Sequence, residues 1–399
     1  MKYLLKITLS YILVSIHFTT FSQLNHAEGY FTSEAEAIMT DSGIIVSLKK
    51  FNPTKTDIDN AMKPPKNGPW NYLMLPFETK KVLLNNKGFE SKLYSLNKES
   101  EVLWERTLGY SDKSQASQIT LHDNFIFAGE SHKSENKVII QKIDLSGKTV
   151  WEQVLDSLNN VDDIIVSGGK VCVLVSFDHY KKVKGPDNTY TNKMFPVYFY
   201  VQMNIETGEI IKKEYQKMGV YLSGMGFANP VLNSEYSYFL NTQDSAAFLS
   251  TIQLEKATIV SDNLAKASKI SLLSAGLDSY HLLYEKPKAR NKTTYNLFSG
   301  YYGEQKKYDV ELPIEPMASD RTFIAPASDD SLFVIIGKPD KLTILLTDHA
   351  AGNTIIYKQT IEVLSPLLFA GYAKDKIFVL QGKNRAKPGT PGELIVTYY

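Results

Sequence analysis

The stretch KIDLSGKTVWEQ, Lys142 to Gln153, reads as a strand, a tight turn and a second strand. Gly147 sits where a short hairpin needs a positive φ, which glycine adopts at no steric cost. An echo stands at YSLNKESEVLWER, Tyr94 to Arg106, with Trp104 and Trp151 placed alike after their turns. A hairpin that recurs along a chain points to a repeat architecture, and the period decides the fold.

Six hairpins share this form: KLYSLNKESEVLWE, IIQKIDLSGKTVWE, YVQMNIETGEIIKKE, LSTIQLEKATIVS, YNLFSGYYGEQKKY and ILLTDHAAGNTIIYKQ. Further strands, each opened by a polar turn, are marked by Phe125, Val171, Tyr236, His281, Phe333 and Ile377, with KKVLLNN around Val82 as an earlier candidate. The markers recur every ~45 residues with one longer step, the size of one four-stranded propeller blade. Short strands, regular turns and almost no helical periodicity predict an all-β array. A seventh unit begins at SPLLFAGYAKDKIFVLQG and ends with GELIVTYY, Gly392 to Tyr399, short of a last strand. TDSGIIVSLKK, Thr40 to Lys50, is the unassigned strand at the other end. The expectation is therefore a seven-bladed β-propeller, its C-terminal blade closed by that N-terminal strand, since closure removes open sheet edges. Residues 23–399 form one domain, with an irregular insertion at 51–79 and a long loop at 178–196 in the third blade.

The hairpins resemble the repeats of pyrroloquinoline-quinone-like (quinoprotein-type) propellers, in which a D-x-x-T-G-x-x-x-W turn closes each blade. Asp144, Gly147 and Trp151 match, with the Asp one residue nearer the Gly; Asn97 and Trp104 match in the preceding copy, Thr207 and Gly208 in the following one. The resemblance covers mainly Leu93–Tyr215. It implies blade shape, and for function it spans both quinone enzymes and assembly scaffolds. The paired-cysteine feature of many quinone enzymes is impossible with a single Cys, and no catalytic residue carries over.

The N-terminus reads as a processing signal. Lys2 and Lys6 flank the start of a short apolar run, Ile7–Ile16, and Thr20 and Ser22 are placed for cleavage before Gln23. The run falls short of the ~20 apolar residues that span a bilayer, so no integral span is expected after processing. No Cys follows it, which excludes lipoprotein attachment. This terminus resembles export signals of Gram-negative Bacteroidota and implies periplasm or medium.

The chain has 399 residues, 43% hydrophobic and 22% charged, ordinary globular composition with ample core. Its formal net charge of +1 provides no bulk attraction to nucleic acid or membrane. Cys172, in GKVCVLVSF, reads as a small core residue on a buried strand. The seven His are scattered singly, with no HxH or HExxH spacing, so neither a metal nor another cofactor is expected, and no catalytic residue is identifiable. His281, between Tyr280 and Leu282, reads as a core or interface histidine, and Trp104 and Trp151 as blade-packing residues.

Charge is segregated. Loops joining second to third strands are basic: Lys181, Lys182, Lys184 and Lys193 with Tyr180, Tyr190 and Phe195 in the longest; Lys286, Lys288, Arg290 and Lys292 in another; Lys383, Arg385 and Lys387 in the last. Turns joining first to second strands carry Asp123, Glu235, Asp278, Asp329, Asp330 and Asp375. Variable loops on a rigid scaffold are where recognition usually sits. The reading is an exported, monomeric scaffold whose basic rim meets an envelope protein or an anionic glycan such as lipopolysaccharide, and not nucleic acid. The alternative is an envelope enzyme, a glycan hydrolase or lyase or a quinone-type oxidoreductase, with its site at the central channel.

Overall fold

Two local rules build each sheet. Paired residues with positive φ turn the first strand into the second: Asp123–Asn124, Gly168–Gly169 and Lys374–Asp375. Both central residues of a type I′ turn need that conformation, and its twist matches the flanking strands. The turn from third to fourth strand is held by its own first side chain. Asp144 Oδ1 accepts from the N–H groups of Ser146 and Lys148, each at 2.9 Å. Asn97 Oδ1 does the same for Glu99 (3.0 Å) and Glu101 (2.8 Å), and Asn204 Oδ1 for Glu206 (2.8 Å) and Thr207 (3.0 Å). An acceptor at that position mimics a backbone turn, which is why the repeat keeps Asp or Asn there.

The computed structural model describes residues 30–51, 89–111, 117–132, 135–184, 190–216, 231–232, 236–243, 246–253, 258–264, 269–275, 279–288, 292–301, 307–317, 320–328, 330–338, 340–363, 367–383 and 393–399. Among these residues the strands form seven antiparallel sheets, six of four strands and one of three. The first holds β1 (Tyr30–Met39), β2 (Gly43–Phe51), β3 (Phe89–Asn97) and β4 (Val102–Ser111). The second holds β5 (Gln118–His122), β6 (Phe125–His132), β7 (Lys137–Asp144) and β8 (Thr149–Asp156). The third holds β9 (Asn160–Ser167), β10 (Lys170–Lys184), β11 (Tyr190–Asn204) and β12 (Ile210–Gln216). The fourth holds β13 (Val231–Leu232), β14 (Tyr236–Gln243), β15 (Ala246–Gln253) and β16 (Thr258–Leu264). The fifth holds β17 (Lys269–Ala275), β18 (Ser279–Pro287), β19 (Thr293–Tyr301) and β20 (Lys307–Glu311). The sixth holds β21 (Arg321–Ser328), β22 (Ser331–Gly337), β23 (Lys341–Asp348) and β24 (Thr354–Glu362), and the last β25 (Leu367–Ala373), β26 (Lys376–Lys383) and β27 (Glu393–Tyr398).

Neighbouring sheets share buried cores. The first and second share a core through Ile45, Leu93, Ile126 and Ala128. The second and third meet through Phe127, Val138, Val171 and Val173. Leu283, Leu297, Val334 and Leu345 join the fifth and sixth, and Ile335, Ile344, Ala370 and Val379 the sixth and seventh. Each fully buried aliphatic contributes about 1.5–3 kcal/mol of transfer free energy. Four-stranded antiparallel sheets stacked this way are of the β-propeller class.

Outer strands carry a second device. Trp104 on β4 lies against Gly147 in the turn of the next sheet and donates from Nε1 to Leu145 O at 2.8 Å. Trp151 on β8 lies against Gly208 and donates to Ile205 O at 3.0 Å, and Tyr308 on β20 lies against Gly352. The two tryptophans are packing residues, as the sequence predicts.

Each predicted hairpin is the third-and-fourth-strand pair of a sheet, and the markers Phe125, Val171, Tyr236, His281, Phe333 and Ile377 all fall on second strands. Closure by strand exchange is corrected. Gly43–Phe51 pairs with β1 and β3, as second strand of the first sheet, and not with Leu394–Tyr398. The first innermost strand, β1, carries the run Glu34–Ala37, whose Glu and Ala have no strand signature; Ala35 and Ala37 are small because they are buried against the last sheet. First and last sheets instead share a core, Ile44, Val46 and Leu48 meeting Leu368, Phe378, Leu380, Leu394 and Val396. The strand expected around Val82 and most of the 51–79 insertion lie outside the described residues; the 52–88 link joins the paired strands β2 and β3.

A Cβ on Gly208 would stand 2.7 Å from Trp151 Cε3 at φ +75°, whereas Gly168, at φ +56°, has open space around it. Gly168→Ala is expected to cost about 1 kcal/mol, from backbone strain alone. Gly208→Ala is expected to cost at least about 1 kcal/mol more, because a close-packed ring must move. Urea unfolding of both variants compares them; equal losses would show that the ring does not constrain the turn.

Candidate functional site

The longest basic stretch is built on β10 and β11. Among the described residues, β9 pairs with β10 over Lys170–Ser176 and β12 with β11 over Tyr198–Met203. Beyond that, the described partners of Phe177–Lys184 and Tyr190–Val197 are each other. The result is a two-stranded arm about 25 Å long at ~3.3 Å per residue. The sequence reading placed a loop at 178–196; the ladder corrects it, because closely spaced lysines mask the alternation of a strand.

Strand alternation puts Tyr180, Lys182 and Lys184 on one face, and Tyr190 stands directly opposite Lys184 on that same face. Tyr180 is 56% and Tyr190 66% exposed, and both lysines are exposed. Lys181 and Lys193 are register partners on the arm. Its base is fixed by residues the sequence reading passed over. Asn160 Nδ2 donates to Asp178 Oδ1 at 3.0 Å and to Ser176 Oγ at 3.1 Å, and Asp178 N donates to Asn159 Oδ1 at 3.3 Å. No strand was predicted over Asn160–Ser167, so nothing in the sequence reading pointed to this pair.

The other basic groups are differently placed. At the β18–β19 end, Lys286 pairs with Asp309 at 3.0 Å, Lys288 with Glu311, and Lys292 with Glu315 at 3.9 Å. Those acids lie on the outer strand and just after it, so this part of the rim is locally neutralised. Burial pushes the Asp309 carboxyl up, but hydrogen bonds from Asn296, Tyr284 and Lys286 hold it below the usual carboxylate range. Arg290, Arg385 and Lys387 lie outside the described residues, and Lys383 ends β26. Of the acidic turns at the opposite end, Asp123 stands 3.2 Å from His122, Asp375 accepts from Tyr372 at 3.2 Å, and Asp330 is exposed. Glu235, Asp278 and Asp329 lie outside the described residues.

Cys172 is buried, with Tyr200 OH donating to it at 3.1 Å, and burial pushes its thiol up, which keeps it protonated and unreactive. Among the described residues no three His, Cys, Asp or Glu side chains converge to hold a metal, and no helix is long and apolar enough to cross a membrane.

His281 lies at a sheet interface, as the sequence predicts. It is 3% exposed on β18, its Nδ1 2.8 Å from Ser299 Oγ and its Nε2 3.1 Å from Ser279 Oγ. Ser299 Oγ donates to Asn353 Oδ1 at 2.9 Å, and the His349 ring stands 4.8 Å away; both partners come from the β23–β24 turn of the sixth sheet. Burial, with His349 nearby, lowers the His281 pKa to about 3.

No protein-family model matches the chain, and no curated protein matches it. Solved structures resemble it in fold. The β-propeller domain of the Trilobed protease from Pyrococcus furiosus, which has an open velcro topology, is 10% identical at TM-score 0.47, covering 92% of this chain and 96% of that one. The Dos1 propeller is 9% identical at TM-score 0.46, covering 93% and 77%. Pyrococcus horikoshii acylaminoacyl peptidase is 9% identical at TM-score 0.47, covering 91% of this chain, which spans about half (51%) of that enzyme. At these TM-scores the architecture rests on this chain's own sheets and shared cores, not on the likeness.

A histidine whose folded pKa lies below its unfolded value of about 6.5 favours the fold above that pH. Stability is therefore expected to fall as pH drops from about 6.5 toward 3, by up to about 1.4 kcal/mol per unit. Urea titrations across that range should show a shallower slope for His281→Gln than for the native chain.

Proposed function

We propose that this chain is a seven-bladed propeller of pyrroloquinoline-quinone-like repeat type, exported across the inner membrane. It serves as a binding or assembly scaffold in the Gram-negative envelope. Seven blades in a closed ring are supported by the innermost strands: β1 touches β5, β5 touches β9, and so on through β13, β17 and β21 to β25, which touches β1. The closure is by packed faces. The Asp- or Asn-capped turns and docked tryptophans support the repeat type.

One observation carries the functional reading: an anchored arm that presents Tyr180, Lys182, Lys184 and Tyr190 together and exposed on one face. Tyrosine supplies flat, rigid contact area with a polar tip, and lysine attracts anions. That combination favours an acidic polysaccharide or a lipopolysaccharide headgroup, with an acidic patch on an envelope protein as the other class of ligand. Lys286, Lys288 and Lys292, already paired with carboxylates, extend the rim with less net charge, and Lys383 at the end of β26, followed in sequence by Arg385 and Lys387, is the basic group of the last unit.

Heparin serves as the anionic glycan probe. Lys182→Ala/Lys184→Ala is expected to elute at lower salt than the native chain, since exposed charge is screened within about 10 Å at 0.1 M. Tyr180→Ala/Tyr190→Ala should shorten retention without changing its salt dependence. Unchanged profiles for both double variants would remove the arm as the site.

A further inference from the structure

Charge changes sign along the exposed face of the arm. Side chains two apart on a strand share a face at a spacing of about 6.6 Å, so Asp178, Tyr180, Lys182 and Lys184 form a row along β10. Tyr190 stands beside Lys184 across the ladder. Lys182 and Lys184 are exposed at the outer end of the row. Asp178 is half-buried at the inner end, where its Oδ1 accepts from Asn160 at 3.0 Å. Asp162 adds to that end: burial, with Asp162 and Asp178 as the nearby charges, pushes the Tyr198 phenol up.

The spacing decides which charges act together. Lys182 and Lys184, about 6.6 Å apart, lie within the ~10 Å Debye length of 0.1 M salt and act jointly on one ligand. Asp178 is about 13 Å from Lys182 and about 20 Å from Lys184 along the strand, beyond that length. It therefore leaves the two lysines unneutralised and sets the potential of its own end, unlike the carboxylates in contact with Lys286 and Lys288.

A compact anion such as phosphate gains from both lysines only if their ammonium groups converge. Convergence costs mutual repulsion and the freedom of two long side chains. A linear ligand with a charge on successive units meets each lysine where it stands. Tyr180, 56% exposed, and Tyr190, 66% exposed, flank the lysine pair with flat faces suited to sugar rings.

We propose that the arm binds a linear acidic glycan lengthwise, as a stretch of about three sugars set by the row's spacing. Two successive acidic sugars sit on Lys182 and Lys184, the outer one beside Tyr190. The next sugar toward the sheets lies on Tyr180 and is an uncharged one, because a carboxylate there would face Asp178. The ligand class is thus a mixed acidic and neutral polysaccharide. This rests on the reading of the arm as the binding site and names what that site takes.

The probes are galacturonate, digalacturonate, trigalacturonate and inorganic phosphate, titrated calorimetrically into the full chain. Digalacturonate is expected to bind about fivefold or more tighter than galacturonate or phosphate, from a second lysine and a tyrosine face. Lys184→Ala should remove most of that gain. Asp178→Asn, which keeps an oxygen for Asn160, should tighten trigalacturonate about twofold and leave digalacturonate unchanged. Galacturonate or phosphate binding as tightly as digalacturonate overturns the lengthwise site and leaves the arm as a simple anion site. Trigalacturonate unmoved by Asp178→Asn overturns the uncharged position on Tyr180. Digalacturonate that fails to bind, while heparin is still held through Lys182 and Lys184, overturns this ligand class and spares the arm. Oligomers that bind indifferently to Lys182→Ala/Lys184→Ala overturn the arm itself.

Discussion

The structure depends on an aromatic ring laid flat on a glycine of the neighbouring sheet. Sheets arranged around an axis diverge outward, so apolar contact that is easy at the innermost strands runs out at the outermost. Trp104, Trp151 and Tyr308 bridge the gap, and the turn beneath must lack a Cβ to let the ring down: the nearest ring carbons would stand 2.7–3.3 Å from one. The register slips by one residue just before Trp104, Trp151 and Tyr357, and such a bulge re-aims the side chain that follows. The extra residues, Leu103, Val150 and Ile356, are thereby left at the surface, 53%, 50% and 57% exposed.

Cations reinforce the same contacts. Arg106 donates to Gly147 O at 2.9 Å, and Lys142, only 2% exposed, reaches Ile205 O at 3.1 Å and Glu206 at 2.9 Å beneath the second tryptophan. A buried ammonium is tolerated only with full compensation, and here a carbonyl, a carboxylate and the Phe125 face at 4.3 Å supply it.

What the sequence made legible follows from range. Asp144, Gly147 and Trp151 speak through a turn of a few residues, so the repeat and its hairpins could be read directly. β1 could not, because Ala35 and Ala37 are chosen by the closeness of the last sheet, 330 or more residues away in the chain (Leu368, Val396). The arm was half legible: its lysines and tyrosines were found, but its pairing was hidden by polarity. The neutralisation of Lys286 and Lys288 was invisible, since their carboxylates come from a strand two places across the sheet.

The arm and the seam obey opposite demands. A two-stranded ribbon is marginal by itself, so the asparagine pair at its base and the continuous β10 and β11 ladders must hold it in place. Among the described residues the first and last sheets meet without a shared strand. Its stability lies in the packed faces of the first and last sheets, joined by the Lys374–Asp41 ion pair and the Ser100 hydroxyl. An uncovered strand edge invites indiscriminate pairing, and among the described residues Ser100 meets the β27 edge at Val396. A single hydrogen bond contributes only about 0.5–1.5 kcal/mol net, less than a full ladder with side chains on both walls. The Ser100 bond therefore adds to the packed faces of the two sheets and does not hold them together by itself.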